Sequence, residues 1–176
     1  RYFPVSNVAS GLFDLAEKLY GIVVAEQSGV STWHETVGYY EIKDGTGRLL
    51  GSFFTDLYAR KGKRSGAWMD ECVVRKNLDG EATLPVGYLV CNFSPPDAEG
   101  VSLLTHNDVL TLFHEFGHML HHLLTRVDFP SIAGINGVPW DAVELPSQFM
   151  ENFAWCYDVL QQSSAHYQTG APLPRE

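Results

Sequence analysis

His114-Glu115-Phe116-Gly117-His118 places two histidines four residues apart, with a glutamate directly after the first, a pattern whose residue types prescribe a chemistry. On an α-helix the two histidines differ by about 40° in azimuth and about 6 Å in height, so both imidazoles can converge on one ion. Glu115, turned by about 100° from His114, projects beside that ion, where a carboxylate can take a proton from water. Zinc held by two histidines needs a third protein ligand if a fourth position is to stay open for reaction. A nearby third histidine is excluded, because His121 occupies the place of the glycine that layout requires and Leu124 the place of the histidine. A glutamate from a following helix is the other solution, and Glu144, 26 residues after His118, is the one the spacing favours. Glu151, two turns further on, lies near the same face. It is expected either to hydrogen-bond an imidazole and fix its orientation or to be an ordinary helix glutamate.

The elements that must position these residues are legible in the hydrophobic periodicity. Val109, Leu112, Phe113, Phe116, Leu120, Leu123 and Leu124 form a broad apolar stripe, which predicts a heavily buried helix from about His106 to Arg126. Thr105 followed by Asp108 is a capping-box start. A second helical pattern from about Ala142 to Gln162 carries Glu144 and Glu151, with Pro146 in its first turn. Upstream, Val8, Leu12, Leu15 and Leu19 predict a helix capped by Ser6 and ended by Gly21. Short β-branched and aromatic runs at Ile22–Val24, Tyr39–Ile42, Leu49–Leu57 and Pro85–Phe93 predict strands, with a hairpin at Asp44-Gly45-Thr46-Gly47. The strand Pro85–Phe93 either presents an edge to an extended peptide or is paired on both sides. Arg60-Lys61-Gly62-Lys63-Arg64 reads as a solvated loop.

Composition narrows the function. The 176 residues are 45% hydrophobic and 19% charged, as in one ordinary globular unit, and show no repeat or linker. Twelve basic against 21 acidic residues give a net charge of −9, which argues against nucleic acid as a partner, and the short apolar runs argue against a membrane. Cys72, Cys91 and Cys156 are odd in number and widely spaced, so they are expected to be reduced, mostly buried thiols of a cytoplasmic protein.

Longer stretches surround the histidine pair: Phe113 to His118 with Leu120-His121-His122, and Gly137-Val138-Pro139-Trp140-Asp141-Ala142-Val143-Glu144-Leu145-Pro146-Ser147-Gln148-Phe149-Met150-Glu151-Asn152. With Gly51-Ser52-Phe53-Phe54-Thr55-Asp56-Leu57-Tyr58, Arg60, Lys63, Gly66-Ala67-Trp68 and Cys91-Asn92-Phe93, they resemble the thimet oligopeptidase family of zinc metallopeptidases over essentially the whole chain. The resemblance implies one Zn2+ held by His114, His118 and Glu144, with Glu115 as general base of a metalloendopeptidase acting on short oligopeptides. It also implies an α+β fold, mainly α with a small β-sheet, inside a larger helical two-lobed molecule. Family members are several times longer, so residues 1–176 are expected to be a single unit, the central part of a catalytic domain. The N-terminal helical region and the later part, with a His and Tyr residues that stabilise the tetrahedral intermediate, are expected outside it. No obligate protein partner is expected. The rival expectation is an inactive zinc-binding fragment or a structural metal domain, closed by a fourth ligand from His121, His122 or Glu151.

Overall fold

The computed structural model describes residues 1–78 and 80–175. Its elements in chain order are α1 (Val5–Tyr20), β1 (Ile22–Glu26), β2 (Gly38–Asp44), β3 (Leu49–Tyr58), β4 (Trp68–Val73), β5 (Lys76–Leu78), β6 (Glu81–Thr83), β7 (Val86–Phe93), α2 (His106–Leu123), α3 (Leu145–Glu151) and α4 (Tyr157–Gln162). Helices and strands share the chain, as an α+β reading expects. Five strands form one sheet in the order β1-β2-β3-β7-β4, and β5 pairs with β6 as a separate ribbon. Neighbours in the larger sheet are antiparallel except β3 and β7, which run parallel.

The apolar stripe of α2 lies on this sheet. Val109, Phe113, Phe116 and Met119 are fully buried, together with Val8 and Leu12 of α1 and Ile42 and Phe53 of the strands. Phe116 stands between Phe13 and Phe53, with ring centroids 5.6 and 5.9 Å away. The sheet yields space at Gly87 of β7, where a Cβ would lie 2.5 Å from Met119 Sδ. This packing fixes the rotation of α2 about its axis, and with it the directions of His114, Glu115 and His118.

Helix boundaries depart from the periodicity where local hydrogen bonds compete. The capping box is present, with Thr105 N–H on Asp108 Oδ2 at 2.8 Å and Asp108 N–H on Thr105 Oγ1 at 3.2 Å. Yet α2 stops at Leu123 rather than Arg126, and the Thr125 hydroxyl accepts the Val127 N–H at 3.2 Å in a side-chain turn. The second pattern breaks into α3, a 3-10 turn at Asn152–Trp155 and α4. Asn152 Nδ2 donates back to the Gln148 and Phe149 carbonyls at 2.8 and 3.3 Å, which closes α3 in place of a continuing turn. Pro4, not Ser6, precedes α1, and the Val5 N–H is satisfied by the Ser102 carbonyl at 3.0 Å. Gly21 ends α1 in the left-handed region, as expected.

One open alternative is decided and two expectations are corrected. The strand containing Pro85–Phe93 is internal, between β3 and β4, so the edge belongs to β4. Among the cysteines only Cys91 is buried, where burial raises its pKa to about 12; Cys72 and Cys156 are exposed. The basic segment is not wholly solvated. The Lys63 side chain is 5% exposed and its Nζ donates to Asp56 Oδ1, to the Asp56 and Tyr58 carbonyls and to the Cys91 carbonyl. Arg60 binds Asp56 through two nitrogens, and Trp33 Nε1 donates to the same carboxylate at 2.9 Å.

Burial alone would raise the Asp56 pKa, but the bonds from Arg60, Lys63 and Trp33 outweigh it and hold the carboxyl well below its usual range. The stabilisation from this depressed pKa is full above the unfolded value of about 4 and is lost as pH falls. Asp56→Asn should lower stability at pH 7 by about 3 kcal/mol, because it leaves Lys63 buried without its counter-charge. Urea titrations should show a shallower loss of stability between about pH 5 and 2 in the variant than in the wild type.

Candidate metal centre

His114 and His118 leave α2 on the side away from the sheet, with ring centroids 4.9 Å apart and planes crossed at 81°. Both Nε2 atoms face one oxygen of Glu144, His114 at 3.2 Å and His118 at 3.1 Å. One donor atom from each of the three residues lies within 4.8 Å of the others, which makes them a possible metal-binding triad. A tetrahedral zinc with bonds of about 2.0–2.1 Å separates its ligand atoms by about 3.3 Å, so the spacing and the nitrogen and carboxylate donors both fit that ion.

The protonation states suit ligation. Burial lowers the His118 pKa, leaving a neutral imidazole with a free lone pair at neutral pH. Glu144 has a lowered pKa, chiefly because the Ser147 hydroxyl lies 2.8 Å from its Oε2. Glu151 Oε1 lies 2.5 Å from His114 Nδ1. A proton held on that nitrogen directs the Nε2 lone pair of His114 towards Glu144.

Helix α3 reaches α2 because Gly117 has no side chain. A Cβ there would lie 2.6 Å from the Pro146 carbonyl oxygen and 2.6 Å from Ser147 Cα. Glu144 precedes the first turn of α3, where Pro146 gives up an N–H that a first helical turn leaves unpaired in any case. Buried Ser147 then ties the Glu144 carboxylate to the start of the helix. Glu115 turns the other way, towards β4. It is 8% exposed, and its pKa is raised mainly by burial, against smaller lowering influences from His114 and the nearby Met69 backbone.

The structure brings His114, His118 and Glu144 together and sets Glu151 on His114, with Glu115 next to His114 on α2 but turned towards β4. The sequence reading did not single out Gly117 or Ser147 as supports, or β4 as a strand. Gly117 and Ser147 stand inside motifs read for their ligands, and the β4 run Trp68–Val73 alternates too little to advertise a strand. The groups considered for closing the site lie elsewhere or are engaged. His122 is fully buried with Nε2 3.1 and 3.2 Å from the Val73 and Val86 carbonyls, Glu151 is on His114, and His121 is not among the three donors.

An α+β unit carrying two histidines on one buried helix and a glutamate at the head of the next has the form of a metal-dependent hydrolase centre. Residues 1–176 match the model of Peptidase family M3, and the chain belongs to that family. It is similar to Oligopeptidase A of Haemophilus influenzae, 55% identical over 176 residues, and to Oligopeptidase A of Escherichia coli, 52% identical over 176 residues. Each alignment covers 99% of this chain and 26% of the relative. Dipeptidyl carboxypeptidase of Escherichia coli is 41% identical over 99% of the chain and 25% of its own length. The chain therefore spans about a quarter of the length of these curated relatives. The similarity to the thimet oligopeptidase family is borne out.

Two substitutions test the centre. Glu144→Ala should reduce bound zinc, measured by atomic absorption after dialysis, from about one per chain to a trace. Gly117→Ala would stabilise an isolated helix by about 1 kcal/mol. Here it should instead weaken zinc binding by about a hundredfold, because α3 must retreat from the added methyl and carry Glu144 with it.

Proposed function

We propose that this chain carries the catalytic centre of a zinc-dependent endopeptidase that hydrolyses internal bonds of short oligopeptides. The observation that carries the reading is the placement of the buried Glu115 carboxylate on the same helix as two histidines that share one Glu144 oxygen. A zinc ion held by His114, His118 and Glu144 would supply a Lewis acid that polarises the peptide carbonyl and acidifies a water molecule.

Glu115 performs the proton transfers. Its carboxylate takes one proton from the attacking water as the new C–O bond forms, then delivers it to the amine nitrogen as the C–N bond breaks. The raised pKa suits both halves of that cycle, since a carboxyl nearer neutrality both accepts and releases a proton readily. Glu151 holds the His114 ring in its orientation. Among the described residues β4 pairs with one strand only, β7, so its outer edge offers backbone groups to an extended peptide.

The reading includes oxyanion donors, a His and Tyr residues as the resemblance to the thimet oligopeptidase family implies, in addition to the site residues named here. Such donors contribute factors of about 10²–10³. The reading also includes the two-lobed helical surroundings that confine substrates to short peptides. No helix of the described residues is long and apolar enough to cross a membrane. Neither nucleic acid nor an obligate protein partner enters the proposal. A cytoplasmic location, where an odd and scattered set of cysteines stays reduced, completes it.

Glu115→Gln separates metal binding from proton transfer. The variant should hold zinc as the wild type does and lose hydrolysis of quenched-fluorescent peptides by a factor of about 10²–10⁴. Turnover at the wild-type rate would remove Glu115 from the mechanism.

A further inference from the structure

Beside the three metal donors lies a cavity of about 250 Å³, lined by Asn107, Leu110, Thr111, His114, Glu115 and Glu151. Asn107, Thr111 and His114 follow at spacings of four and three on α2, so they form one stripe that leads from the first turn to the histidine pair. Leu110 packs against the core and leaves an apolar floor. Glu151 closes the opposite wall from α3, with one oxygen on His114 Nδ1.

The cavity is contiguous with the reacting centre, because Glu115 belongs to both. A side chain next to a scissile carbonyl held beside Glu115 is within reach of this space. The lining is rich in acceptors. The Thr111 hydroxyl donates its proton to the Asn107 carbonyl at 3.0 Å and offers its lone pairs to the cavity. Glu151 and Glu115 add carboxylate oxygens, and the Asn107 amide contributes a further acceptor with two donors. An aliphatic or aromatic side chain would strip these groups of water and return no hydrogen bonds, whereas an amide or ammonium group would satisfy them.

We infer that this cavity is a specificity subsite in which Asn107 and Thr111 select a donor-bearing side chain, Gln, Asn or Lys, at a residue adjoining the scissile bond. The assignment rests on the peptidase reading above and adds to it the class of substrate residue.

Calorimetric titration of zinc-loaded Glu115→Gln protein, which binds peptides without cleaving them, tests the subsite. The ligands are alanine pentapeptides with Gln, Lys, Leu or Phe at each interior position in turn. At one position Gln and Lys should bind about tenfold more tightly than Leu and Phe. Adding Asn107→Leu and Thr111→Val should abolish that preference with zinc content unchanged, and Thr111→Ser in place of Thr111→Val should retain part of it. An unaltered preference in variants that still hold zinc would overturn the subsite alone. Failure of the zinc-loaded Glu115→Gln protein to bind any peptide would overturn both the subsite and the peptidase reading.

Discussion

The metal centre depends on how closely the backbone of α3 approaches α2 at Gly117. Pro146 and Ser147 lie where a side chain of residue 117 would stand, and that single contact sets the distance between the two helices. Two carboxylates follow from it. Glu144 Oε2 meets both Nε2 atoms, while Glu151 Oε1, from the end of the same short helix, meets Nδ1 of His114. One helix placement thus supplies the third donor and the group that orients the first.

A second constraint acts on the opposite side of α2. The stripe of Val109, Phe113, Phe116 and Met119 is wedged against the sheet, and close packing of this kind leaves a helix little freedom to rotate. With rotation fixed, the sequence offset between His114 and Glu115 becomes a division of labour in space. The imidazoles face α3 and the exposed side, and the Glu115 side chain faces β4, where it is largely desolvated. The buried environment that shifts the Glu115 proton affinity and the edge strand β4 are therefore parts of one packing arrangement.

The far end of the sheet shows the same economy in its polar groups. Asp56, Arg60, Lys63 and Trp33 form a connected set that satisfies the carbonyls of Asp56, Tyr58 and Cys91 where β3 and β7 run side by side. Read along the chain, Arg60 to Arg64 is a charge run in a loop, and nothing local distinguishes Lys63, whose side chain is buried, from exposed Lys61. The distinction arises because the parallel pair leaves backbone acceptors at one point, and only a long cationic side chain threaded beneath the loop reaches them.

The relative placement of three side chains was determined by sequence alone, since helical geometry obliges His114 and His118 to share a face and puts Glu115 beside it. The apolar stripe of α2, the capping box and the β2–β3 hairpin were legible for the same reason: each is a short-range pattern whose meaning is complete within a few residues. Tertiary structure decided whatever required two distant segments to compete for one hydrogen bond or one volume. It broke the Ala142–Gln162 pattern at Asn152, made β7 an interior strand by adding β4 outside it, and buried Lys63. It also brought Glu144 to the histidines across 26 residues, a distance over which periodicity carries no phase and only the contact at Gly117 sets the position.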